Sequence, residues 1–67
     1  MSETNNIKVE RARRGISQLE LATEVDLCQA TINKIERRPI SAKTEHLVRI
    51  ADYFGVSVDY LLGRETR

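Results

Sequence analysis

Cysteine is nearly absent from this 67-residue chain. Cys28 stands alone, so no intrachain disulfide can form, and with His46 the single histidine there is no paired Cys/His spacing to hold zinc. A reducing cytoplasm suits such a chain. Long apolar runs are missing too: nothing approaches the roughly 20 apolar residues of a membrane span, and Met1 to Asn6 is too polar for a secretory signal, so a soluble, unexported protein is expected. There is no strand-like alternation, no internal repeat and no low-complexity tract, which points to an all-α fold. Charge of one sign is also lacking. The formal net charge of +1 taken alone argues against nucleic acid as a partner, because domains that bind it are usually more basic. Catalysis lacks its signatures, since His46 has no partner serine or cysteine motif and falls on the polar side of a helix; no catalytic residue, metal, cofactor or small-molecule ligand is expected.

What is present is pattern. The length suits one domain, 1–67, which buries only roughly 60% of its unfolded surface and gains from a dimer interface. From Ser17 to Arg37 the chain reads SQLELATEVDLCQATINKIER. Apolar or small residues fall at Leu21, Ala22 and Val25, then at Leu27, Ile32 and Ile35, the spacing by which two short crossed helices share one core. That arrangement is a helix-turn-helix over 17–37, whose second helix fits a DNA major groove. A first helix runs from an Asn5 or Asn6 cap to Arg14, with Ile7 and Ala12 inward and Gly15 free to take positive φ. Ser17 and Glu20 form a capping box for the second helix, which ends near Val25 and leaves Asp26 in a left-handed turn. The third helix covers Gln29 to Arg37, and Pro39 stops it. A loop follows to Lys43. The fourth helix starts from a Ser41 or Thr44 cap and ends at Gly55; Ser57 caps a last one through Leu62, closed by Gly63.

The distribution of charge matters more than its total. Lys34, Arg37, Arg38 and Lys43 lie in the third helix and the loop after it with only Glu36 against them, whereas Glu45, Asp52 and Asp59 lie farther on, so one face is basic on a nearly neutral body. On a wheel of 100° per residue Ile32 and Ile35 mark the core side of the third helix. Ala30, Asn33, Lys34 and Arg37 then point outward, with Gln29 at the start and Thr31 on a flank.

These residues carry a resemblance to the Cro/CI-type (XRE) helix-turn-helix family of phage and bacterial transcriptional regulators. Arg11, Gly15, Ile16, Ser17 and Gln18 resemble that family's first helix and the entry to its second. Leu47, Ile50, Ala51, Phe54 and the run from Gly55 to Gly63 are similar to its last two helices and their turn. Nearly the whole chain is covered, with Asp26 standing where the family usually has Gly and Cys28 where it has Ser or Thr. The resemblance implies a compact five-helix lambda-repressor-like domain, cytoplasmic and encoded by a bacterium or phage. Its implied function is a repressor that binds a pseudo-palindromic double-stranded DNA operator as a homodimer. A restriction-modification controller protein shares this architecture, and a protein-interaction module such as an antitoxin could use the same helices without reading bases.

The wheel and the resemblance select the same base readers, Gln29, Ala30, Asn33 and Lys34. For the phosphates the expected set is Arg11, Ser17, Gln18, Thr31, Arg37, Arg38 and Lys43: basic side chains, and the start of the second helix as an anion site in which Gln18 matches a family contact. The family often pairs an arginine of the first helix with a glutamate late in the third, here Arg11 and Glu36. Ile40, Tyr53, Val58 and Tyr60 exceed what a small core easily encloses and are expected at the dimer interface, with Phe54 and Leu61 assigned to the core. Cys28 is expected as a weak substitute for a Ser cap, with redox sensing as the alternative.

Overall fold

A serine followed three residues later by a glutamate sets the entry to the helix-turn-helix. The Ser17 hydroxyl accepts from the Glu20 N–H at 3.0 Å, and the Glu20 carboxylate accepts from the Ser17 N–H at 2.8 Å, a complete capping box. The computed structural model describes residues 6–64. In chain order these form α1 (Asn6–Arg14), α2 (Gln18–Glu24), α3 (Gln29–Arg37), a 3-10 turn (Pro39–Ser41), α4 (Thr44–Phe54) and α5 (Val58–Leu61). The fold is all-α, and no described helix is long and apolar enough to cross a membrane.

All five α-helices contribute to one core. Ile7 of α1, Leu21 of α2, Ile32 of α3, Ile50 of α4 and Leu61 of α5 are essentially inaccessible to solvent. Truncating any of them to alanine removes several buried methyl groups and leaves a cavity, a loss of about 2 to 5 kcal/mol. Because Ile32 and Ile35 are both held in this cluster, α3 cannot roll about its axis, and its opposite side is fixed outward.

Between α2 and α3 the chain reverses through Asp26, at φ 61° the one described non-glycine residue with positive φ. Arg49 of α4 reaches across to this turn, its Nη1 donating to the carbonyls of Val25 and Asp26, each at 3.3 Å. At the far end of α4, Gly55 takes φ 72° and its N–H closes on the carbonyls of Ala51 and Asp52. Ser57 then caps α5 through the Tyr60 N–H at 3.0 Å.

Several local expectations are corrected. Ala12 is exposed, and the inward residue beside Ile7 is Glu10, one helical turn on and 1% exposed. Its carboxylate accepts from the Tyr60 hydroxyl at 2.9 Å. Asn6 is the first residue of α1 rather than its cap, with its amide donating to the Tyr60 carbonyl at 2.6 Å; the alternative cap, Asn5, lies outside the described residues. Neither expected residue caps α4: Lys43 occupies the cap position without a side-chain bond, Thr44 is already helical, and the Ser41 hydroxyl donates to the Arg38 carbonyl at 2.9 Å. The expected loop before α4 contains the 3-10 turn, which begins at Pro39 because its missing N–H and fixed φ suit a first helical position.

Candidate nucleic-acid interface

The outward side of α3 is a ridge between two shallow depressions. Ala30, Asn33, Lys34, Arg37, Arg38 and Ser41 line one; Asn33, Arg37 and Arg38 also line the other, together with Lys8, Gln18, Glu36, Ile40 and the end of α5. Gln29 and Ala30 are exposed in the first turn, and Asn33, Lys34 and Arg37 follow on the same side. Thr31 is half-buried on the flank, and exposed Lys43 and Cys28 lie just before α4 and α3. The Cys28 thiol makes no capping bond.

Glu36 is the one acidic residue in this basic stretch, and its placement removes it from the surface potential. Its side chain is 3% exposed and Arg11 grips it, Nε to Oε2 at 2.7 Å and Nη2 to Oε1 at 3.2 Å. A third Arg11 bond, from Nη1 to the Ile16 carbonyl at 3.1 Å, ties the guanidinium to the chain entering α2. Three of the five guanidinium N–H groups are thus committed inside the protein, leaving two for anything beyond it. With its carboxylate neutralised by a partner, the ridge displays Lys34, Arg37 and Arg38 without local opposition. Glu24, Asp26 and Asp52 belong to a separate depression beside Arg49 and Tyr53.

The start of α2 is less open to an anion than its helix geometry alone implies. The N–H groups of Ser17 and Glu20 are occupied by the capping box, and the Glu20 carboxylate sits beside any incoming phosphate. The Gln18 amide nitrogen is also occupied, donating to Glu36 Oε1 at 3.0 Å and facing Asn33 Oδ1 at 3.5 Å. What remains is the N–H groups of Gln18 and Leu19 and the Ser17 hydroxyl hydrogen. The Gln18 side chain, expected at a phosphate, is a strut between helices in this arrangement.

Of the four expected interface residues, Tyr60 is corrected outright. It is 7% exposed, packed in the core, with its hydroxyl on buried Glu10, so it has no free face for a second copy. Val58 is half-buried against the same core. Ile40 is 63% exposed on the 3-10 turn. Tyr53 is partly exposed, but the Arg14 guanidinium lies 6.0 Å from its ring centre and 5.0 Å from that of Phe54, while Nη2 donates to the Phe54 carbonyl at 2.7 Å. Ile40 and Tyr53 line different depressions.

Sequence reasoning missed three contributors: the Arg49 bonds to the turn, the Gln18 strut, and the burial of Glu10. Only the last left a signal, an acidic residue three positions after Ile7 on the stripe that must face the core.

Comparison with known proteins agrees with this geometry. The chain is similar to the HTH-type transcriptional regulator ImmR of Bacillus subtilis (strain 168), with 29% identity over 65 residues, which is 97% of this chain and 51% of that protein. It therefore spans about half the length of that relative. The family model described as Helix-turn-helix matches residues 7–61, from the first core residue of α1 to the end of α5. On that match and on the all-α arrangement around α2 and α3, the chain belongs to the XRE-type helix-turn-helix family.

Proposed function

We propose that this protein is a sequence-specific DNA-binding transcription regulator of the cytoplasm, a repressor that lays α3 in the major groove of a pseudo-palindromic operator. The observation that carries the reading is the ridge itself: a polar and basic face of α3, held outward by Ile32 and Ile35, with its single acidic neighbour turned inward and paired. Gln29, Ala30, Asn33 and Lys34 are its base-reading residues. Arg37, Arg38 and Lys43 contact phosphates, with Arg11, Ser17 and Thr31 as flanking contacts.

The operating unit is a homodimer, which sets two α3 ridges about one DNA turn apart. Ile40 and Val58 are the residues proposed for the two-fold contact; Tyr53 is engaged by Arg14 within the protomer. Repression follows from occlusion of promoter DNA.

Titration against fragments of the gene's own promoter region, at two salt concentrations, tests the reading. A regulator binds one fragment tightly, and log K falls with log salt at about −0.9 per phosphate neutralised. Equal, weak binding to every fragment would instead identify a protein-interaction module that does not read bases.

A further inference from the structure

The buried carboxylate of Glu36 is connected to the exposed face of α3 by hydrogen bonds whose direction is fixed. Arg11 holds both carboxylate oxygens, so Glu36 is a charged group that only accepts. The end of the Gln18 amide turned toward it must therefore be the nitrogen, 3.0 Å from Oε1. The same nitrogen has a second hydrogen to give and lies 3.5 Å from Asn33 Oδ1, a long contact. Turning the Asn33 amide around would set its NH2 against that of Gln18, two donors with no acceptor between them.

We infer that Asn33 presents Nδ2, a hydrogen-bond donor, to the DNA and reads an acceptor edge, guanine O6/N7 foremost, and that Glu36 is the positioning residue that sets this polarity through Gln18. The inference rests on the proposed placement of α3 in the major groove. It separates Asn33 from the usual asparagine pairing with adenine, which needs the carbonyl and the amine of one amide together. Here the carbonyl end is turned toward Gln18, so the end facing outward is the donor, and a lone donor discriminates most strongly against the cytosine N4 amine.

Selection from a randomised double-stranded DNA library tests this, with wild type, Asn33→Ala, Asn33→Asp, Gln18→Ala and Glu36→Gln compared, and circular dichroism used to verify folding. The position read by Asn33 is the one whose preference Asn33→Ala abolishes. Guanine is expected there for wild type, with about a tenfold loss when that pair is exchanged for C·G. Asn33→Asp keeps an acceptor toward Gln18 and turns a second one outward, so preference at that position alone moves to cytosine or adenine. Gln18→Ala and Glu36→Gln each free the Asn33 amide to turn and level the preference there, while the other positions keep theirs. A merely structural role for Glu36 would instead weaken all sequences alike. Should Glu36→Gln fail to fold, Gln18→Ala carries the same comparison from a partly exposed site. Sequence-selective binding in which no position responds to Asn33→Ala, or in which Asn33→Asp leaves guanine preferred, would overturn the inference and leave the proposed function standing. A wild type that enriches no sequence would overturn both.

Discussion

Removing Arg11 should damage this domain far more than removing its partner Glu36. The two side chains share two bonds, but their surroundings differ: the Glu36 side chain is 3% exposed and that of Arg11 is 17% exposed. Arg11→Met orphans a carboxylate in the interior, for which the general penalty is about 3 to 5 kcal/mol. An upper limit comes from protonation, because neutralising a carboxyl of ordinary glutamate acidity at pH 7 takes about 3.7 kcal/mol. The Gln18 amide still donates to Oε1, so about 3 kcal/mol is the expected loss at pH 7. For a domain of this length total stability is about 3 to 10 kcal/mol, so the variant stands near its unfolding threshold. Glu36→Gln, in contrast, leaves a guanidinium that reaches water and keeps its bond to Ile16, a loss of about 1 kcal/mol. Urea unfolding followed by far-ultraviolet circular dichroism at pH 7 measures both losses. Equal losses for the two single variants would refute the orphaned-charge argument.

Four further outcomes are expected. Asp26→Gly relieves a left-handed side chain at φ 61° and should stabilise by about 0.5 kcal/mol, the gain being reduced by glycine's larger unfolded entropy; thermal unfolding that shows a loss would mean the Asp26 side chain contributes to the turn. Gln29→Ala should weaken cognate DNA by about 1 to 3 kcal/mol and relax one base pair, with folding unchanged; unaltered specificity in competition titrations removes Gln29 from the readers. Arg38→Ala should weaken all DNA sequences alike and flatten the salt slope by about one unit for each phosphate no longer neutralised, and a change in base preference at constant slope would move it to the readers. Ile40→Glu, at a site 63% exposed, should leave the fold intact but place like charges across the two-fold axis; sedimentation equilibrium in which the variant dimerises as well as wild type would exclude Ile40 from the contact.

The features legible in the sequence were those decided within a turn or two of chain. Ser17 and Glu20 are three residues apart, Asp26 follows the last residues of its helix, and the sidedness of α3 needs only Ile32 and Ile35. Tyr60 shows the other case. As a large residue on a short helix it was expected at the interface, and the partner that draws it into the core, Glu10, lies 50 residues away on α1. Likewise Gln18 matched a phosphate contact by position, and position says nothing of the bond its amide makes to a residue 18 positions on. Polar partners distant in sequence leave no periodicity behind. The cap of α4 failed for a third reason: two suitable side chains stood close together, and the 3-10 turn engaged Ser41 before α4 began.

The Arg49 bonds to Val25 and Asp26 bear on how portable the helix-turn-helix is. A segment cut to residues 17–37 would carry its own capping box and its own turn, but not the guanidinium that gathers the two turn carbonyls, nor the α1 arginine that neutralises Glu36. Grafted onto a foreign scaffold, such a segment would splay at Asp26 unless a donor were built opposite it. Any transplant of this reading head should move α1 and α4 along with it, making about fifty residues, rather than about twenty, the smallest transferable unit.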